Sequence, residues 1–179
     1  MKLPSRLCLS GLFLLLLAVP SPAAETLNTM CNFLGGDYIT YDYCVSTLGA
    51  NPESRTADGH RLAVIAVNLT VTNATAIRSR AEALSRTTAD LIVSSSLRNC
   101  SSLYGAAVPE LLRSANATAA HNYTASSSVL AGVLWVPTGC DEAFRTGGGG
   151  GVASPIRKEN DAFSDLTTLA KAVNNYMAQ

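Results

Sequence analysis

Aromatic side chains are scarce: Phe, Tyr and Trp make up 6% of the chain, with a single tryptophan, Trp135. A core must therefore be built mainly from Ala, Ser, Leu and Val, which suit closely packed helices. Charge is sparse too. The 13 basic residues balance 13 acidic ones, and no basic stripe forms, which speaks against nucleic acid as a partner. Only two histidines occur, His60 and His121. No CxxC and no histidine pair accompanies the cysteines, so no metal and no cofactor are expected. The Gly-x-Ser-x-Gly elbow of a hydrolase is missing. Asp141 and Glu142 are adjacent and point to different sides of a helix. His60 reads as solvated beside Asp58, and His121 lies in a loop-like stretch with no acid near it. No catalytic residue emerges. The glycines at 147–151 lack both the Gly-Lys-Ser/Thr ending and the preceding strand of a phosphate loop. They read as a flexible connection.

What is present starts with a leader. Lys2 and Arg6 precede an apolar run over 7–19, followed by small residues at Ala23 and Ala24. Such a run is too short to span a bilayer and marks a secretory signal over 1–24. After it no apolar run of spanning length is read, so no membrane association is expected once the signal is cleaved. Cleavage also removes Cys8, leaving four cysteines in an oxidising compartment, which favours two disulfides. Of three connectivities, Cys31–Cys44 closes a local hairpin and Cys100–Cys140 can tie neighbouring helices. Sequons at Asn68, Asn73, Asn116 and Asn122 make glycosylation at those four positions expected in a secreted chain. A fifth, at Asn99, is weakened by the cysteine in its middle position.

About 155 residues remain, enough for one domain over 25–179 with a genuine core. A hairpin over 25–50 carries Gly35-Gly36 between its cysteines. It should lay at least one of Tyr38, Tyr41 and Tyr43 against the helices of the bundle. That bundle, over 55–179, has four periodic segments. The first, capped by Thr56 or Asp58, carries Leu62, Ile65, Leu69, Ile77 and Leu84. Alternating steps of three and four give the second seam, Leu97, Cys100, Tyr104, Ala107 and Leu111, with a kink or break expected near Ala107 because Pro109 lies inside it. The third seam is Leu130, Val133, Pro137, Cys140 and Phe144, bent just before the cysteine by Pro137 and Gly139. Ser154 and Pro155 should open the fourth helix, with Phe163, Leu166, Leu169 or Ala170, Val173 and Met177 inward. Short connections imply antiparallel neighbours, giving an all-α, up-down-up-down four-helix bundle with both bundle cysteines inward. Trp135, between Leu134 and Val136, is expected to be packed; exposed, it would be an anchor at a protein interface.

The marks Cys31 with Thr40-Tyr-Asp-Tyr-Cys44-Val-Ser-Thr-Leu48, Asn99-Cys100 with Tyr104 and Ala107, and Gly139-Cys140-Asp141-Glu-Ala-Phe144 resemble the plant invertase and pectin methylesterase inhibitor family. Further marks are Ala57-Asp58 and Arg157-Lys-Glu-Asn160. The resemblance runs from Cys31 to Met177. It implies a secreted four-helix bundle with an N-terminal helical hairpin and the same two disulfides, located in the apoplast or cell wall, or in the vacuole. It also implies an inhibitor, not an enzyme, whose partner is a plant pectin methylesterase or an acid invertase. Invertase inhibitors of this family share a Pro-Lys-Phe segment upstream of the fourth cysteine; here that region reads His121-Asn-Tyr-Thr-Ala-Ser126. Pectin methylesterase is therefore the preferred target. His121, Tyr123 and Trp135 are the candidate interface residues.

Overall fold

A computed structural model describes residues 22–36, 39–147 and 151–179; residues 1–21 of the expected 1–24 leader and Tyr38 lie outside the described residues. All regular structure among the described residues is helical. Helices α1 (Pro22–Leu34) and α2 (Tyr41–Gly49) form the hairpin, joined by the Cys31–Cys44 disulfide. Thr40 starts α2 by accepting the Tyr43 N–H on its hydroxyl, the usual way a side chain satisfies one of a helix's unpaired first-turn donors. Of the two described hairpin tyrosines, Tyr43 packs on the core, while Tyr41 stays exposed. A 3₁₀ turn (Pro52–Arg55) then leads to α3 (Gly59–Thr87). Of the two expected caps it is Asp58 that serves α3, accepting the Arg61 N–H at 2.7 Å.

Helix α4 (Leu91–Ala119) packs antiparallel along α3. Its five seam residues, Leu97, Cys100, Tyr104, Ala107 and Leu111, are all buried. The expected break near Ala107 does not occur. Pro109 sits on the exposed side of a helix that runs on for another ten residues, so its missing N–H removes one rung and the remaining ladder and packing carry the helix through. The third seam is two helices, not one bent one: α5 (Tyr123–Val133) and α6 (Val136–Thr146). The break falls at Leu134 and Trp135, ahead of the expected position. Proline is at home in a first helical turn but has no N–H for the carbonyl four residues back and clashes with it. That carbonyl is Val133, where α5 ends, so Pro137 sits in the first turn of a new helix, α6, in place of bending an old one. The fourth helix also starts late. Ser154 and Pro155 lie in a turn before α7 (Arg157–Met177), where the Ser154 hydroxyl accepts the Ile156 N–H.

Helix α3 is 29 residues long with a most apolar stretch of mean hydropathy 1.2, long and apolar enough by composition to cross a membrane. This run escapes a reading of the sequence because Asn, Thr and Arg interrupt it. Its apolar stripe packs against α4 and α7. Thr70, Thr72 and Thr75 each return a hydroxyl bond to the carbonyl four residues back, which keeps these weak helix formers satisfied within the helix. Across the core, Cys100 and Cys140 are fully buried and bonded, with Cα atoms 4.7 Å apart.

Because aromatics are few, polar side chains occupy part of the interior. Ser114, Thr118, Ser126 and Asn174 are buried and bonded to one another between α4, α5 and α7. Nearer the α5–α6 break, the Tyr104 hydroxyl donates to Asn160 Oδ1, and Asn160 Nδ2 donates to the Pro137 carbonyl at 2.7 Å. Burial, then the nearby Asp141 and Asp161 carboxylates, push the Tyr104 hydroxyl well above the usual phenol range.

Candidate docking surface

The break between α5 and α6 turns Trp135 outward. The indole is 57% exposed, which overturns the expectation that it is packed. Its position is nonetheless fixed. A Cβ added to Gly139, one turn along α6, would come within 2.9 Å of the ring and 3.3 Å of Leu103 on α4. The bare backbone at Gly139 thus forms a floor on which the ring lies, with Leu103 as its side wall. An aromatic held flat on a helix has little conformational entropy left to lose on binding.

From Trp135 the same side of α6 passes through Gly139, Ala143 and Gly147, four residues apart and therefore on one face. Small residues there let α4 approach closely: the Ser96 hydroxyl donates to the Ala143 carbonyl at 2.8 Å, and the disulfide crosses between the same helices. At the far end, Leu91, Ile92, Ser95, Asn99, Thr146 and Gly147 line a shallow cavity of about 390 Å³. Leu91 is 82% exposed and Ile92 is also exposed. Trp135, Leu103, Ile92 and Leu91 give this α4–α6 side an apolar character, with Ser95, Asn99 and Thr146 as polar neighbours.

His121 and Tyr123 do not join this surface. They lie at the opposite end of α5 from Trp135, about 15 Å along an eleven-residue helix. There they meet His60 from the start of α3: the two imidazoles stack with centroids 3.9 Å apart, and both Nδ1 atoms reach the Tyr123 hydroxyl. The expectation that His60 is merely solvated is corrected; it is half-buried and bonded. Burial first, and Asp58 second, raise the Tyr123 hydroxyl above its ordinary value. No local pattern in the sequence marks this cluster, since His60 and Tyr123 are 63 residues apart.

The sequon asparagines divide by exposure. Asn68 on α3, Asn116 near the end of α4 and Asn122 before α5 are exposed. Asn73 is half-buried, and its side-chain carbonyl oxygen is enclosed without a hydrogen-bond partner. Asn122 Oδ1 caps α5 by accepting the Ala125 N–H at 3.2 Å, which leaves its amide nitrogen for a glycan. Among the described residues no group of three or more His, Cys, Asp or Glu side chains is placed to hold a metal ion.

Comparison with known proteins gives a family and a fold. The family model described as plant invertase/pectin methylesterase inhibitor matches residues 25–173. A protein of Platanus acerifolia named "Putative invertase inhibitor" is 27% identical over 179 residues, covering 99% of both chains. One of Platanus orientalis with the same name is 27% identical over 78% of this chain and 81% of its own. Among solved structures, a mutant form of a pectin methylesterase inhibitor from Arabidopsis aligns with a TM-score of 0.68 at 16% identity, over 83% of this chain and 95% of that one. A pectin methylesterase inhibitor from Arabidopsis thaliana aligns at 0.62 and 15% identity, over 87% and 98%. At such identities the structures speak for the fold alone.

Proposed function

Since the chain belongs to the plant invertase/pectin methylesterase inhibitor family, whose members are inhibitors and not catalysts, we propose that it is a secreted, stoichiometric inhibitor that docks on a plant cell-wall carbohydrate enzyme through the α4–α6 side centred on Trp135. The observation that carries this reading is the exposed indole pinned over Gly139 and beside Leu103. Exposed tryptophans held in place are the side chains most often found at the energetic centre of protein interfaces. Glycans at Asn68, Asn116 and Asn122 would leave that side clear, because α3 packs on α4 and α7, not α6, and Asn116 and Asn122 lie toward the opposite end of α5. Of the three candidate interface residues, this reading keeps Trp135 and leaves out His121 and Tyr123, which lie at the other end of α5. Asn73, half-buried, is the sequon expected to be least occupied.

Pectin methylesterase is the preferred target, because the chain lacks the Pro-Lys-Phe segment by which invertase inhibitors resemble one another. Acid invertase is the second reading, favoured by the names of the two Platanus relatives. The mature, disulfide-intact protein should be titrated against one enzyme of each kind at pH 5 and 7. Saturating loss of esterase activity near equal stoichiometry is expected; loss of invertase activity alone would transfer the assignment. Inhibition of neither, across several isoforms, would leave a secreted relative without inhibitory function.

Replacing Trp135 by alanine should weaken the complex about 100-fold, the size of effect expected for a tryptophan at an interface centre. Thermal stability should hardly change, since most of the ring is already in water. A W135A protein that inhibits as well as wild type would place the interface elsewhere.

A further inference from the structure

His121 is the one described residue other than glycine with a positive φ, at 59°. It occupies a particular place. At the end of α4 the His121 N–H donates to the Thr118 carbonyl at 2.9 Å and the Asn122 N–H to the Ala117 carbonyl at 2.8 Å. This is the six-to-one and five-to-two pattern of a Schellman turn, in which His121 stands where glycine is strongly preferred. A side chain with a Cβ is strained in that left-handed conformation, so something must hold it there. The His121 ring is held by its stack on His60, at 3.9 Å and 19° between planes, and by the 2.9 Å bond to the Tyr123 hydroxyl. His60 lies 3.0 Å from the same hydroxyl oxygen.

That hydroxyl has one hydrogen. It can donate to one Nδ1 only, so the other ring must present its own Nδ1–H to the oxygen. The arrangement is complete with both rings neutral, in complementary tautomers, or with one ring charged. With both charged, no Nδ1 lone pair remains to accept from Tyr123, and two parallel cations face each other in van der Waals contact. Raised by burial and by Asp58, the Tyr123 hydroxyl keeps its proton throughout.

We infer that His60, His121 and Tyr123 form a proton-sensitive clamp that holds the α4–α5 turn against the start of α3 near neutral pH and releases it in acid. Histidine is the side chain whose charge ordinarily changes between pH 5 and 8. The other charged groups around the clamp offer little compensation for a second cation. Asp58, which caps α3 and acts on the Tyr123 hydroxyl, is the carboxylate that faces the clamp and balances one cation. Glu53 of the 3₁₀ turn is paired with Arg61, and Glu110 on α4 with Arg113. Folding with the clamp closed disfavours the doubly protonated pair, so its stabilisation is present at higher pH and lost as pH falls. The clamp needs no partner enzyme.

Hydrogen exchange of the mature protein, followed by mass spectrometry and corrected for the intrinsic pH dependence, tests this over residues 117–126. Between pH 7 and pH 5 the protection of this segment should fall about fivefold more than that of the α4 midsection, the order expected for two unit charges at this separation when water screens them. H60Q, which leaves a single imidazole, should show no such pH-dependent difference, and Y123F, which keeps the stacked rings but takes away the hydroxyl they share, should already be less protected at pH 7. H121G should keep the turn protected at both pH values, because glycine needs nothing to hold it at that φ. Equal protection of wild type at pH 5 and 7 would overturn the clamp. So would an H60Q protein whose turn loosens in acid as the wild type's does, or a Y123F protein as well protected at pH 7 as the wild type. Y123F removes one surface-proximal oxygen only, so it keeps the test decisive should H60Q fold poorly.

Discussion

Replacing Cys100 and Cys140 together by alanine should cost about 4 kcal/mol of stability, the entropy released to the unfolded chain when a 40-residue loop is opened. The same treatment gives about 3 kcal/mol for Cys31 and Cys44, which close a loop of only 13. The larger figure belongs to a more consequential bridge. Helix α6 is eleven residues long, begins at a break and ends at the glycine segment, so it has no continuous helix on either side to hold it. An isolated helix of that length is marginal in water. The disulfide and the Ser96–Ala143 bond fix α6 on α4, and with it Gly139, the floor beneath Trp135. Urea unfolding of C100A/C140A should therefore show a lower midpoint, and titration of the target enzyme a weakened complex. C31A/C44A should instead loosen α1 and α2 to proteolysis while inhibition persists through the α4–α6 side. If the hairpin bridge proves the costlier to remove, or the weaker inhibitor follows its loss, α6 is held by packing and not by its disulfide.

The contrast between the two bridges also shows which features can be read from sequence. The seams of α4 and α7 are legible because steps of three and four mark one face of each helix: the seam residues from Leu97 to Leu111 and from Phe163 to Val173 are buried as expected. Pairing the cysteines is legible for the same reason, since both bundle cysteines fall on seams. Prolines are harder. Pro109 and Pro137 carry the same local signal, yet one is carried through an exposed helix face and the other begins a new helix. Tertiary packing decides between those outcomes, and periodicity does not record it. Trp135 is misleading in sequence because its neighbours Leu134 and Val136 suggest burial, while the break that turns it outward is set by Pro137 two residues on. The Ser114–Ser126–Thr118–Asn174 network and the His60–His121–Tyr123 cluster have no signal at all. Serines and histidines show no period, and their partners lie far away in the chain.

Asn160 is the buried polar residue on which the opposite side of α6 depends, and its loss is the second large effect expected. Fully buried, it accepts from the Tyr104 hydroxyl and donates to the Pro137 carbonyl, so one amide ties α4, α6 and α7 together where α5 and α6 part. Truncation to alanine leaves the Tyr104 hydroxyl enclosed without an acceptor and opens a small cavity, which should cost about 3 kcal/mol. For a chain of this length that lowers the melting temperature by roughly 6–12 °C. N160D is the more telling variant. It preserves shape and can still accept from Tyr104, yet it cannot donate to Pro137 unless protonated. It also places a carboxyl in the field of Asp141 and Asp161, which already raises the Tyr104 hydroxyl after burial has done so. Burial and like charge both favour the neutral acid, so the introduced carboxyl should titrate higher in the folded protein than its unfolded value of about 3.9. Its protonated form therefore contributes stability below that unfolded value, and the contribution is lost as pH rises through the folded one. N160D should be less stable than N160A at pH 7 and approach wild type near pH 4, a crossover that thermal melts at both pH values would reveal. Parallel pH profiles for N160A and N160D would mean that the amide's hydrogen to Pro137 contributes little, and that Tyr104 alone sets the stability of this site.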